Sequence, residues 1–169
     1  IYILGVQELV DEIQNRTGVN NTSNNPEIVI VAFDKELTYQ KLETACKLIN
    51  SGTPYYLSHI DIFCPTINGK MPDCGAIGIL IEKTTGKKSI DNFGKPSDLM
   101  TNYIREIINK DINKTVVGDR IHTDIELGNK LGADTVLVCS GDYQHASSQN
   151  KQYNNTQIFD TLRDYLITI

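Results

Sequence analysis

Two aspartates, Asp119 and Asp124 in "TVVGDRIHTDI", lie five positions apart, just beyond a short apolar run and ahead of a helical pattern. Neighbouring carboxylates repel each other and are costly to desolvate, so the end of a buried strand suits them only if a cation sits between them. A third group precedes them: Lys95 in "FGKPS", held between a glycine that permits a tight turn and a proline that fixes the next residue. A lysine held in this way offers a point charge to a phosphate, and Mg2+ uses one or two carboxylates together with waters and substrate phosphate. Each feature also has an ordinary alternative. An acid in the first turn of a helix is favoured by the dipole alone, and a single Gly-Lys-Pro is more often a solvated turn. It is the succession across one helix that points to phosphate chemistry.

The elements that must position these residues follow from periodicity. "TVVG" is a strand, and Asp119 stands at its carboxyl end, where open α/β sheets bind ligands. Thr123 and Glu126 have capping-box spacing, which predicts a helix starting at Thr123. Upstream, Leu99, Met100, Tyr103, Ile104, Ile107 and Ile108 fall on one helical face, and "DTVLVCSG" is a further strand.

The first half repeats the strand–helix alternation: "IYILG", a helix ending at Gly18, "EIVIVAF", a helix capped by Thr38 and closed by Gly52, then "PYYLS". "DIFCPTINGKMPDCG" reads as a loop, and Ala76, Ile77, Leu80 and Ile81 mark a helix ending at Gly86. Residues 143–157 read as a long loop before a last amphipathic helix built on Ile158, Phe159, Leu162 and Leu166. Alternation of this kind implies an α/β fold with parallel strands, and the pattern restarts near Gly94, the expected domain boundary.

The 169 residues are enough for one full domain or two small lobes. Sixteen basic against 21 acidic residues, a net charge of -5, gives no electrostatic reason to expect nucleic acid or an anionic membrane as partner. No apolar run approaches the ~20 residues of a membrane span, and Ile1 does not open a signal peptide, so a cytoplasmic protein is expected. Cys46, Cys64, Cys74 and Cys139 lack metal-type spacing and are expected as reduced, partly buried thiols. His59, His122 and His145 are not spaced as ligands and are read as surface residues. Asp34 and Lys35 read as a structural turn.

The order "AFDKELTYQKLETACKLI", "LSHIDIFCPTINGKMPDCGAI", "TTGKK", "FGKPS", "VVGDRIHTDIELGNKLGADTVLVCSG" resembles the NagD-like phosphatases of the haloacid dehalogenase superfamily over nearly the whole chain. The resemblance implies a large α/β cap at residues 1–91 and the C-terminal half of a three-layer Rossmann-like core at residues 92–169. It assigns Lys95 to steadying the nucleophile and phosphoryl group, and Asp119 to binding Mg2+. Asp124 becomes the second acid of that metal motif. In the cap, Asp61, Cys64, Asp73, Cys74 and Gly75 are the implied substrate-specificity residues. The family's usual Pro-Gly-x-Gly here reads Pro72-Asp73-Cys74-Gly75, which puts specificity outside what the resemblance carries.

The family's nucleophile, an aspartate in a strand-end Asp-x-Asp-Gly motif, does not occur in this chain, nor does the Ser/Thr motif that binds phosphate from the second core strand. "TVVG" therefore lacks its expected neighbour, and an apolar strand edge invites pairing with another chain. Three readings follow. In the first, these residues are the C-terminal portion of a longer Mg2+-dependent phosphatase, inactive alone, which hydrolyses small phosphorylated metabolites such as sugar phosphates, phosphoglycolate, nucleotides or 4-nitrophenyl phosphate through an aspartyl-phosphate. A missing N-terminal core segment would complete it, and a homo-oligomer is the other expected partner. In the second, the chain is a non-catalytic phosphate-, metal- or protein-binding module of the same fold. The third, another Rossmann-like fold, finds no Gly-x-Gly-x-x-Gly or Walker loop in support.

Overall fold

The computed structural model describes residues 1–108, 112–142 and 156–169. It divides into two units, Ile1–Gly94 and Lys95–Ile169. Both are mixed α/β with parallel sheets.

In the first unit, β1 (Tyr2–Leu4), β2 (Val29–Val31) and β3 (Tyr55–Leu57) form a parallel sheet in that order, with β2 central. Central placement explains the uninterrupted apolar "IVIV", since a strand covered on both faces has no polar side. Helix α1 (Gln7–Thr17) ends at Gly18, whose φ of 71° is the left-handed conformation glycine adopts at no steric cost. Helix α2 (Tyr39–Asn50) begins where Thr38 accepts the Lys41 N–H. Leu4, Val29, Ile49, Tyr55, Cys74 and Ile81 are buried together in this core. Asp34 is buried in the turn after β2, where it pairs with Lys41 at 3.0 Å and accepts the Glu36 N–H at 2.8 Å.

One expectation for this unit is corrected. The segment read as a loop contains an antiparallel hairpin, β4 (Phe63–Thr66) and β5 (Gly69–Pro72), turning through Ile67 and Asn68. Helix α3 (Cys74–Thr85) follows it and ends at Gly86. The chain then returns along β3: Leu57 N–H donates to Asp91 O at 3.1 Å, Phe93 N–H donates to Leu57 O at 2.9 Å, and the Phe93 ring stacks on Tyr56.

In the second unit, β6 (Thr115–Gly118), β7 (Asp134–Val138) and β8 (Thr156–Phe159) form a parallel sheet in that order. Ile158 and Phe159, expected at the start of the last helix, belong to β8, and helix α6 spans only Leu162–Leu166. Helix α4 (Asp98–Ile107) is capped by Ser97, which accepts the Met100 N–H. Its helical period is as expected, but Leu99, Tyr103 and Ile107 are exposed, and Thr101 is its buried residue. Among the described residues, β6 pairs with β7 alone. Most of the expected long loop 143–157 and His145 lie outside the described residues.

Candidate functional site

The turn after β6 differs from the expected capping box. Residues Ile121–Ile125 form a π-helical turn that runs into helix α5 (Glu126–Leu131), with Arg120 at the N-cap. Thr123 is buried inside this turn instead of capping it. π-Helical turns inside helices are frequent at functional sites because they re-aim side chains.

Here the re-aimed residue is Asp124. One oxygen, Oδ2, accepts the N–H groups of Asp119 at 3.2 Å and Arg120 at 3.1 Å, the two residues that lead into the turn. The other, Oδ1, accepts from Lys95 Nζ at 2.5 Å. The Asp124 side chain is 8% exposed and that of Lys95 49%, so a nearly buried carboxylate holds an ammonium that reaches solvent. Gly118 makes this approach possible: a Cβ there would fall inside the Asp124 carboxyl group.

Asp119 is held differently. Its Oδ2 accepts the Asp142 N–H at 2.6 Å, and its carboxylate lies where a Cβ on Gly141 would be. Among the described residues, Oδ1 of Asp119 has no hydrogen-bond partner. Arg120 Nε lies 3.5 Å from Asp142, which ties the turn after β6 to the turn after β7. This donor set fits Mg2+: Asp119 has an uncommitted carboxylate oxygen, while both oxygens of Asp124 are committed to orienting its neighbours. An open surface cavity of about 710 Å3 bordered by Asn102, Arg105, Lys114 and Leu131 adjoins the opposite, N-terminal end of β6 and takes no part in this arrangement.

The cap-type candidates sort into two groups. Asp73 caps α3 by accepting the Cys74 N–H at 2.7 Å, and the same oxygen meets His59 Nε2 at 2.7 Å. Asp61 lies beside this pair, and Gly75 N–H donates to the Asp61 carbonyl at 2.8 Å. His59, read from sequence as a surface residue, is therefore a partly buried partner of Asp73; exposed His122 lies within the π-helical turn. Cys74, in contrast, points into the core and donates to Val31 O at 3.2 Å, and burial raises its thiol pKa. Cys64 is half-buried on β4, with its thiol 3.9 Å from the Pro65 carbonyl. Residue spacing offered no signal for the His59–Asp73 contact, which a 13-residue intervening segment carries back on itself.

Residues 92–165 match the HAD-hydrolase-like family model. The chain is 26% identical over 167 residues to the 5'-nucleotidase YutF of Bacillus subtilis, an alignment spanning 98% of this chain and 64% of that protein. The structure of a 4-nitrophenylphosphatase from Thermotoga maritima superposes with a TM-score of 0.83 at 32% identity, covering 95% of this chain and 61% of that one. A putative nagD protein gives 0.84 at 30% identity, covering 99% and 64%. The chain thus spans less than two thirds of the length of these relatives. These likenesses run through both units, and over nearly its whole length the chain is similar to NagD-like phosphatases of the haloacid dehalogenase superfamily.

Proposed function

We propose that these residues supply the substrate-selecting cap, residues 1–91, and the second half of the catalytic core, residues 92–169, of a Mg2+-dependent phosphatase. Its substrates are small phosphate monoesters of the sugar phosphate, phosphoglycolate, nucleotide or 4-nitrophenyl phosphate type. The observation that carries this reading is the Lys95–Asp124 pair beside an Asp119 oxygen with no partner among the described residues, all at the carboxyl end of β6. The names of the relatives, a nucleotidase and a nitrophenylphosphatase, support the reaction class.

In this reading Lys95 presents its half-exposed ammonium to the phosphoryl oxygens, and Asp124 fixes the direction of that ammonium. Asp119 supplies a carboxylate ligand to Mg2+, and Asp124 holds the turn that aims Asp119. Bound Mg2+ supplies positive charge where the phosphoryl group gathers negative charge. Asp61, Cys64, Asp73 and Gly75 lie on or beside the hairpin that we assign to substrate choice; Cys74 supports it from within the core.

The nucleophile is an aspartate contributed from outside these 169 residues, and the aspartyl-phosphate forms on it, so the chain alone does not turn over. The exposed Leu99, Tyr103 and Ile107 on α4 and the single pairing of β6 among the described residues support a further core segment, or a second copy, covering that side. No described helix is long and apolar enough to cross a membrane. Four free cysteines suit a reducing, cytoplasmic compartment.

The second reading, a binding module without catalysis, is favoured by one observation: the family's Asp-x-Asp-Gly nucleophile motif does not occur in these 169 residues. Phosphate release from a panel of these esters by the native gene product, with and without Mg2+, separates the two. Release from at least one ester only with Mg2+ supports the phosphatase, and no release from any overturns it.

A further inference from the structure

A second cluster of ligand-type side chains lies wholly within the first unit: His59, Asp61 and Asp73 bring one imidazole nitrogen and two carboxylate oxygens within 4.8 Å of one another. We propose that these three residues bind a divalent transition-metal ion of the Zn2+ or Co2+ class, as a centre separate from Asp119. This inference stands independently of the phosphatase reading.

The donor set selects the class of ion. Carboxylates alone suit Mg2+ or Ca2+, whereas an imidazole beside them favours Zn2+, Co2+ or Ni2+. Three protein ligands leave a fourth position for water or another small ligand, as in open zinc sites. Two carboxylates and a neutral imidazole carry a formal charge that a divalent ion balances. Ligand atoms about 2 Å from an ion sit roughly 3 to 3.5 Å apart. The 2.7 Å contact between His59 Nε2 and Asp73 Oδ1 is within a few tenths of an ångström of that spacing.

Each of two ligands also has an orienting partner, as metal ligands characteristically do. Ser58 Oγ meets His59 Nδ1 at 2.8 Å, and the Cys74 N–H holds Asp73 Oδ1 at 2.7 Å. In a neutral ring without metal, the carboxylate of Asp73 only accepts, so Nε2–H donates to it and the Ser58 hydroxyl donates to Nδ1. With metal on Nε2, the ring carries its proton on Nδ1 and Ser58 Oγ accepts it; a hydroxyl serves both tautomers.

The backbone clamps the three together. The Asp73 N–H donates to Ile62 O at 3.0 Å and the Gly75 N–H to Asp61 O at 2.8 Å. Gly75 has no room for a Cβ, which would strike the Ile60 carbonyl, and behind His59 a Cβ on Gly94 would lie 2.6 Å from the His59 Cβ. The His59 side chain is 29% exposed and that of Asp73 11%, so the cluster is partly buried and still reaches solvent.

Titration of the full 169-residue chain with Co2+, followed by visible absorption and calorimetry, tests this. The expected result is one Co2+ bound outside the Asp119 site, with no thiolate charge-transfer band. Binding should weaken at least about tenfold in His59→Asn and persist in Asp119→Asn. Asp73 also caps α3, so a readout on the unaltered chain accompanies the variant: the His59 Nε2 NMR resonance, which Zn2+ should shift. An unmoved resonance, a thiolate band, or binding that survives His59→Asn but is lost in Asp119→Asn would overturn the proposal and leave His59–Asp73 as a hydrogen-bonded clamp only.

Discussion

Lys95 and Asp124, separated by 29 positions, meet in a 2.5 Å ion pair in which the acid is almost fully buried and the base half-exposed. The asymmetry matters energetically. Removing the ammonium leaves a desolvated carboxylate with only backbone donors, whereas the exposed lysine loses little by separation.

Lys95→Met is therefore expected to lower the unfolding free energy by about 1–2 kcal/mol, less than the loss for a fully buried pair because solvent already screens Lys95. Denaturant unfolding at neutral pH measures it. Lys95→Met with Asp124→Asn should recover part of the loss; strict additivity would show that the pair is not coupled.

Gly118→Ala and Gly141→Ala should each displace a carboxylate, the first Asp124 and the second Asp119, since the added Cβ would occupy the acid's own space. Each should cost about 2–3 kcal/mol, the range for a disrupted buried hydrogen-bond network. Chemical shifts of the Asp119 and Arg120 amides should move in Gly118→Ala, and that of the Asp142 amide in Gly141→Ala. Unchanged amides would contradict the assigned hydrogen bonds.

In the proposed complete phosphatase, Asp119→Ala should abolish Mg2+-dependent release, because it removes the carboxylate with an oxygen to offer. Asp124→Ala should weaken metal dependence less completely while also destabilising the fold. Steady-state rates over a Mg2+ titration distinguish them, and a wild-type rate in Asp119→Ala would remove Asp119 from the site.

Burial raises the pKa of the Cys74 and Cys46 thiols above their ordinary value of 9.0. Above about pH 9 the unfolded chain releases these protons while the folded chain retains them, so stability should be flat below that pH and fall above it. Denaturant midpoints from pH 7 to about 10 read this slope; Cys74→Ala should make it shallower. Thiol titration with Ellman's reagent at neutral pH should find Cys64 reactive and Cys74 protected.

Much of this architecture was legible in the residues, for identifiable reasons. Helix α1 carries its own stop in Gly18, α2 its start in Thr38 and α3 its stop in Gly86. The apolar run of β2 announces a central strand. The β4–β5 hairpin was not legible as such because Pro65 and Pro72 interrupt its strands; the usable signal was Asn68-Gly69, a pair favoured at tight turns. Periodicity named the apolar face of α4 but could not say what covers it, and Leu99, Tyr103 and Ile107 are exposed. Lys95, Asp119 and Asp124 were legible as a succession of charged turns. Their division of labour was not, because a Thr-x-x-Glu spacing concealed a π-helical turn in which the Asp124 side chain takes the backbone donors.

The central claim, that these residues are cap and half-core of a phosphatase whose nucleophile lies elsewhere, is tested most directly by 4-nitrophenyl phosphate hydrolysis. The assay compares the 169-residue chain with the native gene product, with and without Mg2+, alongside the intact mass of that product. The expected result is no release by the 169-residue chain and Mg2+-dependent release by a product heavier than 18.9 kDa. Turnover by the 169-residue chain alone, or an inactive native product of 18.9 kDa, would contradict it.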